Sequence, residues 1–264
     1  MTEKPVYSPD AEGEMDIEKI VSEVLKEVRS GWAVGEKPSQ DSIRAWEVAS
    51  KLEHSLLNPD VSLGKILEEC ANARRYCVAA VCVAPYYVSA ASEALRGSGV
   101  KVCAAIGFPH GCMSEASKLT EARECVKNGA DELDVAINIL AVKSGKIADA
   151  RDGFEQIAAI TRGKTTLKAV FEHSVYSDDE KRVVLEIAKS CGAEFVKIQN
   201  VLSGKDAEVD DVRYVKNILG RNVKIKIDGG VKTLAKAMAL LSAGAERIGL
   251  TAAIAIVKEA EGKL

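Results

Sequence analysis

Two lysines stand at matching places on neighbouring apolar runs, Lys197 in Phe195-Val196-Lys197-Ile198-Gln199 and Lys226 in Val223-Lys224-Ile225-Lys226-Ile227-Asp228. Each run reads as a buried strand. Desolvation there favours the neutral amine, and a second ammonium nearby lowers the pKa further. A neutral amine is a carbonyl nucleophile. Bringing a lysine from about 10.4 to near 7 takes roughly 4 to 5 kcal/mol of bias against the charged form, which burial plus one like charge can supply. The plainer reading, that a lone strand lysine snorkels to water or meets a structural carboxylate, weakens when two occupy equivalent positions.

A carboxylate joins them. In Asp131-Glu132-Leu133-Asp134-Val135-Ala136-Ile137, strand alternation sends Leu133, Val135 and Ile137 to one face and Glu132, Asp134 and Ala136 to the other. With the apolar set facing outward, Asp134 points inward, where it needs a cation. Lys197, Lys226 and Asp134 together make a set suited to Schiff-base catalysis: a nucleophile, a pKa modulator and a proton-transfer group.

These residues need a scaffold that brings several strands to one place. From Ile43 onward, helical patterns alternate with apolar runs near 54–57, 78–83, 102–108, 132–137, 166–171, 195–199, 223–228 and 247–251. Helices are expected over 114–128, 149–161, 178–190, 210–219 and 233–243. Such alternation implies parallel strands joined by crossover helices. Eight units in about 220 residues, without a GxGxxG fingerprint, predict an α/β fold of the TIM (β/α)8 barrel type rather than an open doubly wound sheet. The barrel is expected over 41–264. Residues 1–40 are expected to form an N-terminal arm followed by an amphipathic extension helix near 16–29, where Ile17, Ile20, Val21, Val24, Leu25 and Val28 recur at helical spacing.

In a barrel the site lies at the strand C-termini. Gly229 and Gly230 follow the seventh run, and Gly249-Leu250-Thr251-Ala252 follows the eighth, so Gly229, Gly230, Gly249 and Thr251 are candidates for holding a substrate phosphate on free amides. These glycines could equally serve tight turns alone. His54, His110 and His173 also fall near strand ends and could hold zinc with Glu53 or Glu172, but no HxH or HExxH spacing occurs, and no metal is expected. Cys82 points inward from the second strand and reads as packing.

Composition limits the partners. With 264 residues, 47% hydrophobic and 28% charged, the chain can bury a full core. A net charge of -3 without a long cationic run gives no reason to expect nucleic acid or an anionic membrane. Seven cysteines without a CxxC pair fit reduced thiols of a cytoplasmic protein. The start, Met1-Thr2-Glu3-Lys4-Pro5, is unlike a signal peptide, and no apolar run is long enough to span a membrane.

Several segments resemble the deoxyribose-phosphate aldolase family of class I aldolases: Leu52-Glu53-His54-Ser55-Leu56-Leu57, Val81-Cys82-Val83-Ala84-Pro85, Ile106-Gly107-Phe108-Pro109-His110-Gly111, Gly129-Ala130-Asp131-Glu132-Leu133-Asp134-Val135, Phe195-Val196-Lys197, and 226–233 from Lys226 through Gly229-Gly230 to Thr233. The resemblance implies that Lys197 forms the imine, Lys226 lowers its pKa, Asp134 relays protons and Glu53 belongs to the same network, with Cys82 beside it. It implies reversible cleavage of 2-deoxy-D-ribose 5-phosphate to acetaldehyde and D-glyceraldehyde 3-phosphate. No cofactor is expected, the partners being a small sugar phosphate and an aldehyde, and a homo-oligomer is expected.

The chain departs from the family pattern around the same site. Where the family reads Thr-Ser-Thr-Gly after the imine lysine, this chain reads Ile198-Gln199-Asn200-Val201. Thr251-Ala252 stands for two serines, His173 for a threonine, and Lys224 for a glycine on the face of Lys226. Gln199, Asn200, His173 and Lys224 therefore predict a more polar, more cationic pocket that takes an anion by different contacts. Two other activities fit the same residues: a paralogous or transaldolase-like enzyme with another carbonyl donor, and a non-catalytic sugar-phosphate-binding barrel.

Overall fold

The computed structural model of the protein describes residues 40–262. Helix α1 (Gln40–Ala49) leads into β1 (Leu52–Leu56), followed by α2 (Leu63–Tyr76), β2 (Ala80–Val83), a 3-10 turn (Pro85–Tyr87), α3 (Val88–Leu95) and β3 (Lys101–Ile106). Next come α4 (Glu115–Lys127), β4 (Glu132–Ala136), the short α5 (Ile139–Lys143), α6 (Ile147–Thr161), β5 (Thr166–Glu172) and α7 (Asp178–Ser190). The chain finishes with β6 (Phe195–Gln199), α8 (Val209–Leu219), β7 (Lys224–Asp228), α9 (Leu234–Ser242), β8 (Arg247–Leu250) and α10 (Ala253–Ala260). The eight strands pair in parallel in chain order and close with β8 on β1, the TIM barrel that the alternation predicted. The arm and extension helix expected before residue 40 lie outside the described residues.

Strand boundaries move by a few residues from their sequence-based positions, for local reasons. The third strand stops at Ile106 because Gly107 turns to φ +63, outside the extended region, and starts the loop that carries Phe108. The fifth continues through Glu172, so this carboxylate closes the strand at the mouth of the barrel. Helix α7 begins where a capping box between Ser177 and Glu180 satisfies two of its free N–H groups.

Alternation along each strand divides the buried residues into two populations. Leu133 and Val135, Val196 and Ile198, and Ile225 and Ile227 turn outward into the continuous apolar core with the helices. Inside the barrel the apolar cluster is small, comprising Ala80, Cys82, Cys103 and Ala105 with Leu57 and Phe108 packed against it. Small side chains on β2 and β3 leave the width that long lysines from β5 to β7 require at close-packed density. The register sets those lysines side by side: Lys197 lies opposite Lys226, Lys226 opposite Arg247, and Asp134 opposite Lys168.

Candidate active site

Eight ionisable side chains meet within the barrel, four basic (Lys168, Lys197, Lys226, Arg247) and four acidic (Glu53, Glu132, Asp134, Asp228). Asp134 is the hub: its Oδ2 lies 2.7 Å from Lys226 Nζ and 3.0 Å from Lys197 Nζ, and its Oδ1 lies 3.4 Å from Lys168 Nζ. Glu53 bridges below it, with Oε2 2.6 Å from Lys226 and Oε1 2.6 Å from Lys168. Arg247 reaches Glu53 at 3.2 Å and Glu132 at 3.5 Å, and Lys168 contacts Glu132 at 2.5 Å. The Cys103 thiol donates to Asp134 at 3.1 Å, while Cys82 stands farther off at 3.9 Å. Equal numbers of opposite charges let the barrel hold ions that could not be buried singly.

The three lysines differ in how they are held. Lys226 donates to Glu53 and Asp134, and Lys168 donates to Glu53. Lys197 lies at ion-pair distance from Asp134 and, at 2.7 Å, from Asp228, yet makes no well-angled hydrogen bond among the described residues. It is also the lysine next to the opening. A cleft of about 230 Å³ at the C-terminal mouth is lined by Leu57, Phe108, Gln199, Asn200, Asp228 and the Gly229-Gly230 turn, among others. The Phe108 ring centroid lies 5.6 Å from Lys197 Nζ, so two lining residues, Phe108 and Asp228, flank the nitrogen.

The remaining sequence candidates divide between this mouth and other places. Gln199 donates to the Pro109 carbonyl and to Glu172, both at 3.3 Å. Asn200 donates to Asp211 at 3.1 Å, and His173 Nδ1 pairs with the same carboxylate at 2.8 Å. Asp211 also accepts from the N–H of Glu208 at the start of α8, so this helix end anchors the mouth. His173 lines a neighbouring recess of about 750 Å³ with Lys181, Lys205 and Asp206. Gly249 lies on β8 opposite Asp228, but Thr251 lines a separate recess with His54, Lys65 and Glu69.

Lys224 is not at the mouth. It opens β7 at the N-terminal end, exposed, with its ammonium 5.4 Å from the Phe195 centroid, and the four-residue length of strand to Asp228 spans about 13 Å. Alternation put it on the face of Lys226 but at the opposite end of the barrel. With Lys224 removed and His173 committed to Asp211, the cleft is lined, among the described residues, by Lys205 alone of the basic side chains against Asp206 and Asp228. The expected gain in positive charge is therefore absent from its walls. Nor are the histidines gathered for zinc: among the described residues, neither group of side chains close enough to share an ion contains one. Of those groups, Cys82/Cys103/Asp134 and Glu53/Cys103/Glu132, the residues Glu53, Glu132, Asp134 and Cys103 surround the Lys168 ammonium.

A family profile described as DeoC/LacD family aldolase matches residues 47–258, nearly the whole barrel. The chain belongs to this aldolase family. It is 40% identical over 215 residues to the deoxyribose-phosphate aldolase of Staphylococcus carnosus, covering 81% of this chain and 97% of that one. It is 35% identical to that of Clostridium tetani, covering 81% and 100%. Among solved structures, an aldolase designated QR15 superposes with a TM-score of 0.76 at 32% identity, covering 81% of this chain and 95% of that one.

In this aldolase the resting amine is charged, contrary to what two adjacent lysines alone imply. Burial disfavours the Lys197 ammonium, but Asp228 and Asp134 outweigh burial and the repulsion from Lys226, holding its pKa above the ordinary lysine range. The same competition raises Lys226 and Lys168 well above that range and lowers Asp134 well below the carboxylate range. Burial alone would raise Glu53, yet Lys168 and Lys226 bring it down to about 2. Strand alternation alone sets one acid, Asp134, against two bases, and even with Glu53 added from the family resemblance the set lacks Glu132, Asp228 and Lys168, which complete the balance. The missing signals were present: Lys168 alternates along Thr166-Leu167-Lys168-Ala169-Val170 as Lys197 does along its strand, and Glu132 shares the inward face of Asp134.

Proposed function

We propose that this aldolase forms a Schiff base on Lys197 and reversibly cleaves 2-deoxy-D-ribose 5-phosphate to acetaldehyde and D-glyceraldehyde 3-phosphate. The observation that carries the proposal is Lys197 itself, a buried amine without a directed hydrogen bond among the described residues, beneath a cleft and flanked by two carboxylates.

The open-chain sugar enters with its aldehyde toward Lys197. Asp228, 2.7 Å away on the cleft side, takes the ammonium proton, and the freed lone pair attacks C1 to give a carbinolamine. The protonated Asp228 returns that proton to the C1 oxygen, which leaves as water, and an iminium remains between the Asp134 and Asp228 carboxylates. The cation draws the electrons of the C2–C3 bond as the C3 hydroxyl passes its proton to the Asp134 carboxylate. This releases glyceraldehyde 3-phosphate and leaves a two-carbon enamine. Protonation at C2, through Asp134, and hydrolysis of the resulting iminium release acetaldehyde. Lys226, donating to Asp134 and Glu53, keeps the Asp134 carboxylate ionised and oriented for this relay. Cytoplasmic residence and assembly into a homo-oligomer belong to the same proposal; light scattering of the purified protein tests the latter. Among the described residues no helix is long and apolar enough to cross a membrane.

Borohydride reduction in the presence of acetaldehyde, read by intact mass and peptide mapping, tests the chemistry. A stable adduct on Lys197, absent in Lys197→Met, is expected, together with turnover of 2-deoxyribose 5-phosphate. A folded protein that traps no aldehyde would sink the proposal.

A further inference from the structure

Several backbone positions at the mouth that could face a substrate anion are covered by carboxylates of the chain itself, whereas Gly229 between them is open. After β6, Glu172 accepts from the N–H groups of Val201 (3.2 Å) and Leu202 (3.4 Å) and from the Ser174 hydroxyl (2.7 Å). After β7, Gly230 adopts φ +67, and a methyl group placed on it would run into the Asp206 carboxylate. The Ala207 N–H donates to the Gly229 carbonyl at 3.1 Å, which holds the segment bearing Asp206 down on that turn. On β8, a methyl group at Gly249 would likewise meet the Asp228 carboxylate.

These three acids are not equivalent. Glu172 is saturated by its donors, and Asp228 is bound to Lys197. Asp206 makes no ion pair or side-chain hydrogen bond among the described residues and is open to the cleft and to the neighbouring recess. Its negative charge thus lies on the glycine turn of the cleft, opposed among the described lining residues by Lys205 alone. A phosphate dianion brought there meets a like charge, whereas a hydroxyl meets an acceptor with free lone pairs.

We infer that Asp206 is a specificity residue that penalises a phosphate at the acceptor end of the cleft and favours an uncharged, hydroxylated end. The inference rests on the aldolase reading above and refines its substrate class. The phosphate ester is still cleaved, with KM raised by Asp206, and free 2-deoxyribose and unphosphorylated acceptor aldehydes compete with it more evenly than they would over an empty turn.

The test compares kcat/KM for 2-deoxyribose 5-phosphate and for 2-deoxyribose in the full-length protein, in Asp206→Asn and in Asp206→Gly. The asparagine keeps the shape and removes the charge, so the turn is retained if the glycine variant loosens it. The phosphate-to-free ratio is expected to rise about tenfold in both variants, through KM, because one screened like charge is removed. Inorganic phosphate is expected to become a tighter competitive inhibitor of each. A ratio unchanged within about twofold, where a single screened charge should exceed that, overturns the inference. A rise in the glycine variant alone also overturns it, since bulk rather than charge would then decide. Trapping of acetaldehyde on Lys197 involves no anion, so its failure would remove the aldolase reading by itself. Inorganic-phosphate titration by thermal shift in the same three proteins would still decide the charge at the turn.

Discussion

The interior of the barrel and its mouth use the same residue types in opposite ways. Inside, Lys168, Lys226, Glu53 and Asp134 are fully buried on strands and satisfy one another through short, reciprocal contacts. At the mouth, Lys205, Asp206 and Asp228 sit at or beyond strand ends, and among the described residues Asp206 is held by no partner side chain. An ion in the first region cannot change without unbalancing its neighbours, whereas an ion in the second answers mainly to water and ligand. The difference assigns the chemistry to the strands and the choice of substrate to the loops, the division that barrels in general allow.

The strongest way to break this comparison is to remove an interior ion that is remote from the opening. Lys168→Met keeps the length but leaves Glu132 with only Arg247 and deprives Glu53 of one of its three cations. Breaking a buried network in this way is expected to cost about 3–5 kcal/mol, seen as a lower midpoint in denaturant titration. A loss below about 1 kcal/mol, the range of exposed ion pairs, would make the interior no different from a surface.

Acid titration probes the same region without mutation. Glu53 titrates at about 2 in the folded protein against about 4.3 unfolded, so the unfolded chain binds the proton first. Its contribution is fully present above the unfolded pKa and is lost as pH falls through about 4.3 toward 2, on the order of 3 kcal/mol in total. Unfolding free energy followed from pH 6 to pH 3 should therefore fall, and fall less steeply in Glu53→Gln. Parallel slopes in the two proteins would remove Glu53 from the acid response.

Much of the interior was legible because strand alternation is a strict rule and the charged residues interrupt apolar runs. Asp134, Lys197 and Lys226 could be set on one inner face from the period alone. The same rule places Glu132 and Lys168 on that inner face, but the period alone does not say that a third lysine and a further acid join the set. Register was harder. Alternation tells which face Lys224 shares with Lys226 but not that it lies at the far end from the cleft, since height along the barrel depends on where each strand begins. The mouth was least legible: Asp206 reaches Gly230 through a loop whose path no periodicity encodes, and the pairing of His173 and Asn200 with Asp211 depends on where α8 starts.

Asp228 sharpens the comparison because it belongs to both regions: it ends a strand, pairs with Lys197 at 2.7 Å, and lines the cleft with its side chain 15% exposed. Two roles predict opposite results for Asp228→Asn. As a counter-ion alone, Asp228 keeps Lys197 protonated, so neutralising it would lower the amine pKa, enlarge the reactive fraction and speed imine formation. As the group that takes the ammonium proton and returns it to the carbinolamine oxygen, its loss slows dehydration more than the larger amine fraction helps. The expected outcome is a fall of about 10- to 100-fold in the rate of acetaldehyde trapping near neutral pH, toward the lower end for general acid–base groups because that gain opposes it. The limb of the pH–rate profile that reports Lys197 is expected to move to lower pH in the same variant. Faster trapping in Asp228→Asn would reduce Asp228 to a brake on the amine and leave proton transfer to Asp134, inside the barrel.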